Sequence, residues 1–323
     1  MKFYNKKTIK NVDITYPDIY FTPEYGIACE YSDNAIWELC QYKDLIYVYL
    51  KKEYIFENTT YYDLLTPYGY SGYYFEKQTT YDEFIPKFRS QAKIINYITE
   101  VVRQNPYLNI NISNYYEKIT SRKTFGIDLN NYTLFEDYLK KTHKDNRRGY
   151  NLALKKKLLF KMEDYNDDNL SRFLEIYNLT MINLNSNDYY YFNKEYYQSF
   201  FNIKENLFFA NVYYNDNLIA SCIIFKYDKL LHYHIGGSYL EYRNLRPNNL
   251  IHCSIIKYGI ENDYELYHLG GGLKDNDSLY DFKNKIGDKT FEYTIYKNIL
   301  NHKVYDKIKQ QFETDTYFPI HRK

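Results

Sequence analysis

A chain of 323 residues is longer than one hydrophobic core usually serves, and at about 150 residues per domain it reads as two domains. Its 42 basic and 41 acidic residues leave a net charge of +1, which excludes a chain-wide field for nucleic acid or a membrane surface, so a polyanion must meet a local patch. Cys29, Cys40, Cys222 and Cys253 show no CxxC spacing, no run nears the roughly 18 apolar residues of a membrane span, and Met1–Lys10 is too polar for a signal peptide; a reduced, cytoplasmic protein without structural zinc or membrane insertion is expected.

From the N-terminus, strands are expected near Tyr25–Tyr31, Ala35–Tyr42 and Leu45–Tyr54, then a long helix from about Tyr81 to Gln104, then strands at Leu108–Ile112 and Thr124–Leu129. Tyrosine contributes 44 residues against 20 phenylalanines and the single Trp37, a bias that codon usage explains as well as function does. The polar helical stretch Lys140–Lys157 carries the expected domain boundary. Beyond it the pattern sharpens: a strand at Leu158–Glu163, a helix from Asp167 with Leu170, Phe173, Leu174, Tyr177 and Met181 at helical spacing, and a Tyr-rich helical segment at Lys194–Ile203. Three strands follow, Leu207–Tyr214, Leu218–Tyr227 and Leu230–Gly236, with turns short enough for an antiparallel meander. A helix at Pro247–Asn262, a strand at Tyr264–Leu269, a helix at Ser278–Ile286 and a last strand at Thr290–Ile299 complete the order. A helix between two strands of one sheet implies a parallel crossover, hence a mixed sheet.

The strand Tyr264–Leu269 runs into Gly270, Gly271 and Gly272, where the backbone can take positive φ and no side chain separates it from a ligand. Ser278 and Asp281 have capping-box spacing, so a helix starts just beyond, its N-terminal amides facing the strand end. Leu279, Phe282 and Ile286 form the expected core stripe of that helix. Lys283 stands at the edge of the stripe, placed either to snorkel to solvent or, held in a cleft, to stabilise the oxyanion formed when an amine attacks an ester or thioester. Arg243, Arg246 and Asn248 lie where the third meander strand meets the next helix, a junction suited to phosphate. The cluster Lys140, Lys141, Lys144, Arg147, Arg148, Lys155, Lys156 and Lys157 is either a local polyanion patch or a solvated helix face. His232 and His234 share a strand face, with His268 on a neighbouring strand, but no acidic partner accompanies them and no metal is expected. For a general base the sequence leaves His268, Tyr280 and Asp281 open.

The run His268–Gly272, followed by Asp277-Ser278-Leu279-Tyr280-Asp281-Phe282-Lys283, resembles the GNAT-like transferases of the Fem (FemABX) group, which build peptidoglycan cross-bridges from aminoacyl-tRNA; the same superfamily includes users of acyl-CoA. Tyr61–Gly72, containing Thr66-Pro67-Tyr68-Gly69-Tyr70, is similar to a segment of relatives found beside envelope polysaccharide genes. The resemblance implies an α/β fold of two tandem GNAT-like domains, each a mixed sheet flanked by helices, over residues 1–145 and 146–300, with 301–323 as a tail packing back on the first domain. For the site it implies that the Phe282 backbone carbonyl and the Lys283 ammonium contact the reacting groups; His268 and Tyr280 are the further catalytic candidates, with donor contacts expected from Arg243, Arg246, Asn248 and Gly270–Gly272 and acceptor contacts from Tyr68, Tyr70 and Arg147. The junction at Arg243 has no glycine, where CoA-binding members of the superfamily carry one. The expected reaction is N-acylation of a cell-envelope precursor, nucleotide-sugar or lipid-linked, from acyl-CoA or aminoacyl-tRNA. The rival reading is a non-catalytic nucleotide-sugar-binding module.

Overall fold

The computed structural model describes residues 1–272, 277–313 and 317–322. In chain order its first elements are β1 (Lys2–Asn5), α1 (Pro23–Asp33), β2 (Ile36–Tyr42), β3 (Leu45–Phe56), β4 (Thr59–Leu65), β5 (Gly72–Tyr74), α2 (Gln78–Ile94), β6 (Tyr97–Arg103) and β7 (Glu117–Asp128). Next come α3 (Phe135–Lys141), α4 (Lys144–Lys155), β8 (Leu159–Glu163), α5 (Asp167–Asn183), α6 (Lys194–Ser199), β9 (Leu207–Tyr214), β10 (Asn217–Tyr227) and β11 (Leu230–Ser238). The chain closes with α7 (Pro247–Glu261), β12 (Leu266–Gly271), α8 (Ser278–Ile286), β13 (Lys289–Ile299) and α9 (His302–Lys309). Two compact units result: Met1–Ser121 with Glu292–Lys323, and Arg122–Phe291. The second is therefore an insertion within the first.

In the first unit the strand order is β1-β2-β3-β4-β6-β13, with β5 on β3. Pairing is antiparallel except for β4 with β6. Three expectations fail here for identifiable reasons. Tyr25–Tyr31 is helical, because Thr22 accepts from the Tyr25 amide and Pro23 starts α1, a start signal stronger than the strand-like run. The long helix stops at Ile94: Asn96 takes φ 61°, and the β-branched Ile98, Thr99, Val101 and Val102 enter β6. Leu108–Ile112 forms no strand, since Asn105 Oδ1 draws the Tyr107 and Leu108 amides into a turn. Residues 302–322 belong to this unit: Tyr305, Ile308 and Ile320 pack with Phe56 and Ile98. His321 Nε2 and Arg322 Nε reach buried Asp63 at 2.7 and 2.8 Å.

The second unit has the order β7-β12-β11-β10-β9-β8. β8 to β11 form the antiparallel meander, β11 and β12 are parallel, and β12 and β7 antiparallel again. Asn215 and Asp216, both at positive φ, make the two-residue turn that matches strand twist. The two units thus repeat one sheet pattern, a mixed α/β architecture in tandem. α7 buries Leu250, Ile251, Cys253, Ile255 and Ile256 against Ile127, Phe208, Ala210 and Tyr267. The division falls at Ser121 and Phe291, not at 145 and 300: α3 and α4 pack on α7, while Ile295–Ile299 of β13 pair with β6. Among the described residues, no helix is long and apolar enough to cross a membrane.

Candidate active site

The parallel pair β11 and β12 holds register at only Leu230–Leu266, Leu231–Tyr267 and His232–His268. Beyond these, β11 continues to Ser238 bonded to β10 and β12 to Gly271 bonded to β7, so the sheet opens between them. Gly236 and Gly237 line one lip. On the other, the register shifts between His268 and Gly270, and Gly270 takes φ 72°, a bulge suited to glycine. A Cβ at Gly271 would stand 2.8 Å from the Lys123 carbonyl oxygen.

α8 starts beside this lip. Its N-cap is Asp277, whose carboxylate accepts from the Tyr280 amide at 2.6 Å, so the cap falls one residue before the expected Ser278. The expected stripe is also turned: Leu279 is exposed, and Lys283 and Ile286 form the buried line. Residues i and i+3 share a helix face, and here that face brings a lysine inward. Lys283 does not snorkel.

Lys283 is 5% exposed, and its amine donates to the Gly271 carbonyl at 2.8 Å and lies 5.1 Å from the centre of the Tyr233 ring. It makes no ion pair among the described residues. Burial pushes its pKa down to about 7, opposed more weakly by Asp277 and Cys222. Around it, His252 Nδ1 shares a hydrogen bond with the Tyr267 hydroxyl at 3.0 Å, and its ring lies 5.1 Å from Tyr233 and 5.6 Å from Phe282. Burial, then the neighbouring Lys283, push the His252 pKa down to about 3, so its imidazole is neutral. Cys222 and the Tyr233 hydroxyl meet beneath Gly236. His252, Tyr233 and Cys222 were not among the expected site residues. Single aromatic or sulfur positions within buried elements carry no spacing signal.

His268 is fully buried, with Nε2 at 3.0 Å from the Thr124 hydroxyl. Burial, then His232 and Lys283, hold its basicity well below the ordinary histidine value. His232 and His268 are register partners with rings 6.1 Å apart, and no group of three or more metal-ligating side chains occurs among the described residues. The Tyr280 ring stands edge-on to Phe125 at 4.8 Å.

A cleft of about 530 Å³ borders the N-terminus of α7, with Arg148, Arg246 and Lys285 facing Asp145 and Asp281. Arg246 takes φ 64° and serves as the N-cap of α7 without a side-chain cap, and Pro247 occupies the first helical turn. A side chain thus occupies a left-handed position that glycine would fill without strain. Arg243 is exposed, and Asn248 Nδ2 donates to Ser238 Oγ at 3.4 Å. Arg147 donates to the carbonyls of Leu139 and Lys140, both at 3.1 Å, closing the C-terminal end of α3. Tyr68 and Tyr70 belong to the first unit. The Tyr68 carbonyl accepts from Tyr25, and the Tyr70 ring meets Tyr20 and Tyr293 edge-on.

An open parallel junction, a meander before it and a helix N-terminus beside it are the features of a GNAT-type fold, and residues 140–284 match the family described as Acetyltransferase (GNAT) domain. The chain carries that domain within a FemX-like tandem fold. The FemX crystal structure superposes at a TM-score of 0.69 with 13% identity, covering 92% of this chain and 96% of that one. The C-terminal domain of a putative lysylphosphatidylglycerol synthetase from Agrobacterium fabrum aligns at 0.56 with 13% identity, covering 86% and 87%. The L-PGS structure from Bacillus licheniformis aligns at 0.55 with 11% identity, covering 87% and 93%. No curated protein matches the sequence.

Proposed function

We propose that the chain transfers an acyl or aminoacyl group from an activated donor to an amine on a cell-envelope precursor, at the opening between β11 and β12. The observation that carries this reading is the buried Lys283 amine, held by the Gly271 carbonyl beside that opening without an ion-pair partner among the described residues. A charged amine so placed is expensive unless a negative charge arrives, and the tetrahedral oxyanion supplies one. The acceptor amine attacks the donor carbonyl, the oxyanion forms against the Lys283 ammonium, and the thiol of CoA or the ribose hydroxyl of tRNA leaves as the carbonyl re-forms. Phe282 orders the substrate through its backbone, His268 and Tyr280 are the candidate proton acceptors, and Arg147 is a candidate acceptor contact.

The donor's phosphates are assigned to the cleft at Arg246, with Arg243, Asn248 and the Gly270–Gly272 loop along its path. Acyl-CoA and aminoacyl-tRNA both present phosphate to such a cleft. FemX and the lysylphosphatidylglycerol synthetases share the fold, and this favours an aminoacyl donor; the GNAT domain itself favours acyl-CoA. Thermal shift with CoA and with a charged minihelix RNA separates the two. Saturable stabilisation by one alone names the donor, and stabilisation by neither overturns the cleft assignment. Loss of transfer in Lys283→Ala, with the fold intact, tests the catalytic assignment.

A further inference from the structure

A buried lysine amine has two chemical identities. Protonated, it has three N–H donors and no lone pair; neutral, it is a nucleophile. Lys283 gives one hydrogen to the Gly271 carbonyl at 2.8 Å and lies beside the face of Tyr233. Among the described residues no carboxylate forms an ion pair with it, and burial disfavours its charged form. The ionisable groups that bear on it are Asp277 at the N-cap of α8, Cys222 on β10, Tyr233 on β11, His252 on α7 and His268 on β12. Burial holds both imidazoles neutral and pushes the Cys222 thiol up to about 12, so near neutral pH Asp277 supplies the negative charge in this set.

An amine that donates a single hydrogen to a carbonyl keeps its lone pair for an electrophile at the same opening. We propose that Lys283 is itself an acyl acceptor: without an acceptor substrate, it takes the acyl group from a bound acyl thioester and switches the enzyme off. The proposal rests on the reading of the β11–β12 opening as the transfer site. The neutral amine attacks the thioester carbonyl, the C–N bond forms, the C–S bond breaks and the thiolate leaves. The proton lost by nitrogen passes to the thiolate, giving an amide and a free thiol. Such an amide is not hydrolysed at an ordinary rate, so this is a terminal modification and not an intermediate. It removes the ammonium from the oxyanion site.

The two identities respond oppositely to pH. The pKa of about 7 makes the ammonium dominate below that value and the amine above it. An exposed lysine, titrating near 10.4, has roughly a thousand-fold less free amine at neutral pH, which makes Lys283 the favoured target for a reagent that can reach it.

The test uses the full chain without acceptor. One arm incubates it with acetyl-CoA and the other with limiting acetic anhydride, both from about pH 6 to about pH 9. Each is followed by intact mass and by peptide mapping. The expected result is one acetyl group on Lys283 from acetyl-CoA, with uptake rising through about pH 7 and residual transfer activity falling in step. Lys283→Arg should abolish the label without moving it to another lysine. Acetyl-CoA leaving Lys283 unmodified at the alkaline end overturns the proposal. If anhydride labels Lys283 while acetyl-CoA does not, the thioester step fails and the neutral amine stands. If neither reagent labels it while transfer to an acceptor proceeds, the proposal falls and the transfer site survives. If labelling and transfer are both absent, both fall.

Discussion

Each unit contains one parallel strand pair, β4 with β6 in the first and β11 with β12 in the second, and the two are finished differently. In the first, register runs from Tyr62–Tyr97 to Leu65–Val101 and is extended by a bridge between Ser71 and Gln104. The segment between is stitched down: Thr66 donates its amide to the Val101 carbonyl, Arg103 reaches the Thr66 carbonyl, and Asn105 Nδ2 reaches the Tyr70 carbonyl at 2.9 Å. In the second, backbone pairing stops after three residues, and among the described residues only side chains, Lys283 and His252, touch both strands beyond that point. The same architecture is sealed in one copy and open in the other. Thr66–Gly72 supplies the seal, and the glycine lip with Lys283 occupies the opening.

The sharpest way to break this contrast is Lys283→Ala, which should lower transfer by about 10²–10³-fold in a steady-state assay, the usual effect of removing an oxyanion donor. Lys283→Met should lose activity equally yet melt at the same or a higher temperature, since a buried charge is replaced by an apolar side chain. Wild-type melting with full activity loss in Met would support the contrast; retained activity would end it. In the sealed copy, Asn105→Ala strands the Tyr70 carbonyl and the Tyr107 and Leu108 amides. It should cost about 2–3 kcal/mol by urea denaturation while leaving kcat unchanged at a permissive temperature.

Gly271→Ala sets a methyl group against the Lys123 carbonyl and shifts the carbonyl that holds Lys283. We expect about 1–3 kcal/mol of destabilisation with a reduced kcat. The pH dependence of stability follows from Lys283 as well. Its folded value, about 7, lies below its unfolded value, so between the two the unfolded chain holds a proton that the folded chain has lost. Stability therefore rises with pH across that window, with a slope of at most about 1.4 kcal/mol per pH unit from this group. The difference between wild type and Lys283→Met in urea midpoint should narrow as pH rises from about 7 to about 9. Asp277→Ala, which removes the α8 cap and a negative charge that acts on Lys283, should cost about 1 kcal/mol.

The second unit was legible because its strands are short, periodic and bounded by Asn215-Asp216-Asn217 and Asp228-Lys229, and because the Ser278–Asp281 spacing and Pro247 mark helix starts. The first was not. A tyrosine-rich run such as Tyr25–Tyr31 fits either period, and the break between α2 and β6 rests on one left-handed asparagine, Asn96. At the site, the glycines and Lys283 stood out as local sequence. The inward turn of Lys283 did not, because the helix phase depends on the cap falling at Asp277. His252 meets Tyr233 only through long-range packing. Thr66–Gly72 was visible as a motif, but its bonds to Arg103 and Asn105 span more than thirty residues, which no local pattern encodes.

The insertion of the second unit has a consequence for synthesis. The ribosome releases β6 long before β13, and Arg122–Phe291 must emerge in between. Since domains tend to fold as they leave the ribosome, the open copy is complete before the sealed copy receives its last strand. A chain whose residues have emerged only as far as Phe291 would then hold a folded second unit attached to an unfinished sheet whose β6 edge still awaits its partner.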